Sequence, residues 1–62
     1  MESTTLFIPD GYGKGDIIKD LDGNPWVIGE PVCAPIRQVT RIEKEVAEKL
    51  LEQGAQLLVS TR

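Results

Sequence analysis

The 62-residue sequence predicts an α+β fold: a small antiparallel sheet, made of an N-terminal hairpin plus a C-terminal strand, packed on one amphipathic helix. Three observations lead there. Two β-prone runs, residues 16–21 and 26–28, flank Asp22-Gly23-Asn24, whose residues tolerate the left-handed conformations that tight hairpin turns demand. Apolar residues then recur at three- and four-residue intervals, at Ile42, Val46, Ala47, Leu50 and Leu51, while Glu43, Lys44, Glu45, Glu48, Lys49 and Glu52 fill the other positions. Finally, residues 55–61, AQLLVST, form a β-prone run close enough behind the helix to return to the same sheet.

Each element has its own signal. Thr4-Thr5-Leu6-Phe7-Ile8 is rich in β-formers and stops at Pro9-Asp10-Gly11, where Pro presets φ and Gly accepts a positive one. Gly11, Gly13 and Gly15 alternate with Tyr12 and Lys14, too permissive for helix, so this stretch reads as a flexible connection. Pro25 suits the mouth of a strand, where its missing N–H is not needed. With two prolines and no period, residues 29–35 read as an extended connection, and residues 36–39 as a short strand. Thr40-Arg41-Ile42-Glu43 has capping-box spacing, and Gly54 supplies a left-handed stop. These signals place the helix from about Arg41 to Gln53. No internal repeat or linker interrupts the chain, so residues 1–62 read as a single small domain.

Composition excludes several kinds of chemistry. There is no histidine and a single cysteine, Cys33, so an intrachain disulfide is impossible and the usual Cys and His ligands of a structural zinc are missing. The same lack removes Ser–His and Cys–His nucleophile pairs. Cys33, between Val32 and Ala34, has no cationic neighbour in sequence and reads as a buried structural thiol. Residues 20–31, DLDGNPWVIGEP, resemble a calcium loop only at the start. Asp20, Asp22 and Asn24 stand at its first, third and fifth positions, but Pro25 occupies the place of the obligatory glycine and Pro31 that of the bidentate glutamate. The stretch reads as a turn with exposed acids. Gly11-Tyr12-Gly13-Lys14-Gly15-Asp16 matches neither the Walker A pattern nor the dinucleotide fingerprint, and a strand pattern follows it where a phosphate site needs a helix N-terminus. The reading is therefore of a protein without catalytic residues, metal or cofactor.

Charge and size bear on partners. Residues 1–32 hold two lysines against six acids, a net charge of −4, and residues 33–62 five basic groups against four acids, a net charge of +1. A chain this short buries only about 60% of its unfolded surface, and small scaffolds without staples gain stability by association. If Trp26 and Ile28 share one sheet face, Val27 faces the other, and Ile17 and Ile18 contribute one apolar group to each. One helix covers one face. The expectation is a non-enzymatic protein-interaction or assembly module, a homodimer or small homo-oligomer or the binder of another protein. Its contacts would be Trp26, Val27, Ile28, Leu57 and Val59.

Two alternatives accompany it. Residues 14–28, KGDIIKDLDGNPWVI, about a quarter of the chain, resemble the opening of small SH3-like barrels, with Gly-Asp before a strand, a tight turn and an aromatic on the return. That resemblance, common to many unrelated proteins, implies a nucleic-acid-binding barrel with Tyr12, Arg37, Arg41 and Lys44 as contacts beside Trp26. The pI near 4.7 opposes a polyanion. The other alternative is an acidic phage or mobile-element inhibitor of a host protein, presenting Asp16, Asp20, Asp22 and Glu30. Met1-Glu2-Ser3-Thr4-Thr5 lacks the basic region of a secretion signal and no segment has the apolar length to span a bilayer, so the expected location is the cytoplasm.

Overall fold

The computed structural model describes residues 2–59. Strands β1 (Ser3–Phe7), β2 (Ile17–Lys19), β3 (Pro25–Cys33), β4 (Ile36–Arg41) and β5 (Leu57–Val59) form one sheet in the order β1-β4-β3-β2-β5, and helix α1 (Lys44–Glu52) connects β4 to β5. The fold is α+β, one helix on a five-stranded sheet. The sheet is mixed, where an antiparallel one was expected. β2 and β4 both run antiparallel to β3 and so point the same way. A single helix after β4 turns the chain back once, and β5 therefore arrives parallel to β2.

Several boundaries differ from the sequence expectation for identifiable reasons. Thr40 and Arg41 stay in β4, paired with Val27 and Trp26, so the Thr40 capping box is not made. The helix starts after Glu43, an N-cap residue with no side-chain cap hydrogen bond. Its other end follows the sequence. Gly54, at φ 106°, lets its own N–H donate to the Leu51 carbonyl and that of Ala55 to the Leu50 carbonyl, the paired bonds of a Schellman stop. Residues 29–33, expected as a connection, continue β3. Pro31 is accommodated by register shifts on either side of it, as a proline in a strand requires. Residues 60 and 61 of the expected last strand lie outside the described residues.

The glycine-rich stretch is a built turn. Asp16 N–H donates to the Gly13 carbonyl at 3.1 Å, and Gly15, at φ 96°, donates to the Ile28 carbonyl at 2.8 Å while Ile28 N–H donates to the Asp16 carbonyl at 2.8 Å. Two residues thus face one across the ladder, a glycine bulge that aims residues 8–14 back over the sheet.

That return covers the face the helix leaves open. Alternation puts Ile18, Trp26, Ile28, Val39 and Leu58 on one side of the sheet, and Ile8 closes onto Ile18, Ile28 and Val39 with Tyr12, Trp26 and Leu58 packed around them. Ile17, fully buried, lies on the opposite side, where α1 crosses β2 and β3 with Ala47 inward. The sheet centre therefore has a cover on each face, unlike the expected bare one. The covers are short. Nine helical residues span about 14 Å, whereas nine strand residues in β3 run about 30 Å. The far half of the β3–β4 hairpin and the β1 strand beside it extend past the helix.

Candidate interaction surface

Which apolar groups remain outside follows from those lengths. All five residues of β1 are exposed, with Leu6 at 41% and Phe7 at 65% of full exposure. Register carries Phe7 next to Ile36 and Ile36 next to Cys33, a short apolar row on the helix side of the sheet but beyond the helix. At the opposite margin Leu57 and Val59 of β5 are also exposed. Both edge strands thus present large apolar side chains. Leu21, Val32 and Val46 add exposed apolar groups in the β2–β3 turn, the β3–β4 arm and the helix.

On the loop-covered face, Thr4, Leu6, Ile18, Leu21 and Trp26 line an open groove of about 390 Å3 with Asp20 and Asp22 at one side. Asp20 ties this end together. Its Oδ1 accepts from the Asp22 N–H at 3.0 Å and the Asn24 N–H at 2.8 Å, and its Oδ2 accepts from Trp26 Nε1 at 3.1 Å. An Asx turn is thereby tied to the indole, which leaves the ring half-buried and its polar atom satisfied. The indole bond, followed by the Asn24 N–H, holds the Asp20 carboxyl below its ordinary pKa. These donors also answer what the acidic stretch does, since both oxygens of its first carboxylate are engaged in turning the chain.

The sequence-derived contact set is only partly on the surface. Ile28 is completely buried and belongs to the core, a correction to its place among the contacts. Val27 is half-buried on the side crossed by the helix, away from Trp26. Trp26, Leu57 and Val59 are accessible, but Trp26 and the β5 residues do not share one patch, because Leu57 and Val59 lie on the side of Ile17. Leu6, Phe7 and Leu21 were missed. A strand rich in β-formers carries no sign of where its cover stops, and reading residues 29–33 as a connection hid the length of the hairpin that carries β1 past the helix.

The remaining candidates are distributed. Tyr12 packs on the core, Arg41 donates from Nη1 to Glu2 Oε1 at 3.4 Å, and Arg41 and Lys44 share a cavity with the carboxylates Glu2 and Glu43, while Arg37 lies farther along β4 beside Leu6. Among the acids, Asp16 accepts the Gly13 N–H at 2.8 Å and the Gln56 N–H at 3.0 Å. Glu30 accepts from Lys14 Nζ at 2.6 Å in an exposed pair that lowers the Glu30 pKa and raises that of Lys14. Asp22 is exposed in the turn. Cys33 is exposed at the end of β3, not buried as expected, because the hairpin arm outruns its cover.

No known protein family, curated protein or solved structure matches the chain. Among the described residues no helix is long and apolar enough to cross a membrane.

Proposed function

We propose that this chain is a non-catalytic protein-interaction or assembly module that works through the margins of its sheet. One observation carries the reading: large apolar side chains stand exposed on both edge strands, Leu6 and Phe7 on β1 and Leu57 and Val59 on β5. Edge strands offer unpaired backbone groups, and natural monomers protect them with charge, proline or a covering element. Neither Ser3–Phe7 nor Leu57–Val59 contains a charged residue or a proline. Such edges are suited to adding strands from another chain. The exposed thiol of Cys33 fits a reducing compartment, and the cytoplasm is the location we assign.

The test is residue-resolved NMR of the labelled chain, in buffer at rising concentration and in extract of its native cell. The expected result is shifting or broadening of the Leu6, Phe7, Leu57 or Val59 signals while those of Ile17 and Ile28 stay fixed. Edge signals that stay unchanged under both conditions dispose of the reading.

A further inference from the structure

We infer that the partner of β1 is a second copy of this chain, joined antiparallel to it about a two-fold axis through Thr5. The inference rests on the interaction-module reading and assigns one edge of it a partner and a register.

Hydrogen-bond parity fixes which groups of β1 are free among the described residues. β1 and β4 pair Ser3 with Thr40 through Phe7 with Ile36, and the ladder extends in the same register beyond both ends, where Arg41 N–H donates to the Glu2 carbonyl at 3.0 Å and Ile8 N–H to the Pro35 carbonyl at 3.2 Å. In an antiparallel ladder hydrogen-bonded pairs alternate with unbonded ones. Glu2, Thr4, Leu6 and Ile8 therefore turn their backbone groups toward β4, and Ser3, Thr5 and Phe7 turn theirs to the open side.

Only one antiparallel register pairs all three with one another. With Thr5 opposite Thr5 of the second copy, Ser3 meets Phe7 and Phe7 meets Ser3, giving about six backbone hydrogen bonds between the chains. Shifting by two residues in one direction places Pro9, which has no N–H, opposite Ser3 and sets Asp10 against Glu2. Shifting the other way keeps the Ser3–Thr5 pairs but leaves Phe7 without a partner among the described residues. In the favoured register small residues oppose large ones: Ser3 faces Phe7, and Thr4 faces Leu6 on the groove side. No like charges meet, since Glu2 falls opposite Ile8. The identical strand is thus complementary to itself, the condition for a two-fold interface. A single added strand buries less than the roughly 800 Å2 per partner of stable complexes, so the dimer is a weak one that fills only at high concentration.

Sedimentation equilibrium between about 10 µM and about 1 mM is the experiment, on the wild type, Thr5→Lys, Thr5→Glu and an equimolar mixture of the two variants. Thr5 is exposed and its N–H faces the open side, so both variants keep the β1–β4 ladder, which circular dichroism and the amide spectrum verify. The expected result is wild-type mass rising from one chain to two, each variant remaining monomeric because like charges meet at the axis, and the mixture regaining the dimer. Hydrogen exchange of the wild type adds a signature: protection of Thr5 and Phe7 increases with concentration, that of Thr4 and Leu6 does not. A wild type monomeric throughout, a folded Thr5→Lys that dimerises as the wild type does, or a folded mixture that stays monomeric overturns the pairing. Signals of β5 that still move, or β1 signals that respond only to extract, would leave the interaction module standing with a different partner.

Discussion

At the scale of single residues, Asp20 links sequence, turn and groove. Its preference for the start of a turn was legible from Asp22-Gly23-Asn24, but its bond to Trp26 Nε1 was not, because that contact depends on strand register bringing the return strand alongside. The bond has a consequence for acid stability. The folded carboxyl titrates below its unfolded value, so its contribution is complete above about pH 4 and disappears as pH falls through the lower, folded value. The exposed Glu30–Lys14 pair acts in the same direction, and comparison with Asp20→Asn separates the two. Melting temperature recorded from about pH 6 down to about pH 2 is expected to fall more steeply in the wild type than in Asp20→Asn. The variant, whose amide group offers donors where three N–H groups already point, starts lower at neutral pH. Parallel curves would show that the carboxylate does not control the turn. Trp26, the single tryptophan, reports the same event in its emission.

At the scale of elements, the helix illustrates what periodicity can and cannot locate. The stripe from Ile42 to Leu51 and the stop at Gly54 were readable because both are local. The start was not, since Thr40 had two local options and strand pairing with Val27 took it away from the cap. Backbone hydrogen bonds along β4 outweigh one side-chain cap. Glu43 is left at the N-cap with extended backbone, φ −80° and ψ 156°, and no side chain returning to the first-turn amides. Ser fits that conformation and reaches those amides with its shorter side chain. Glu43→Ser is expected to raise stability by about 1 kcal/mol in urea unfolding without altering the slope. An unchanged or lower midpoint would mean that water or the favourable charge of Glu43 near the helix dipole already satisfies that end. The β3–β4 arm shows the complementary error: prolines at 31 and 35 suggested a loop, yet bulges absorb the first and the second sits in the turn.

At the scale of the whole molecule, class was legible and connectivity was not. A hairpin, a helix and a later β-run define α+β, but nothing local says that residues 8–14 fold across one face or that β5 joins the sheet beside β2. Both are long-range facts, and one carboxylate joins them. Asp16 Oδ2 accepts the Gly13 N–H of the covering loop and Oδ1 accepts the Gln56 N–H at the entry to β5, while Ile17 N–H next to it donates to the Gln56 carbonyl at 2.9 Å and Gln56 Nε2 to the Gly11 carbonyl at 2.9 Å. The loop and the last described strand thus close on β2 through the same residue, separated from Gln56 by most of the chain. Removing that carboxylate takes the charged acceptor from the part-buried Gly13 N–H and the exposed Gln56 N–H. Asp16→Ala is expected to lose about 1–3 kcal/mol of unfolding free energy, a large share for a small domain whose total is of order 5 kcal/mol. The loss is also expected to be uneven. Amides of Ile17 and of β5 exchange faster than in the wild type by more than the global destabilisation explains, while those of the β3–β4 pair follow the global change alone. Uniform acceleration would place Asp16 among ordinary surface acids and leave the attachment of β5 to its three backbone-paired residues.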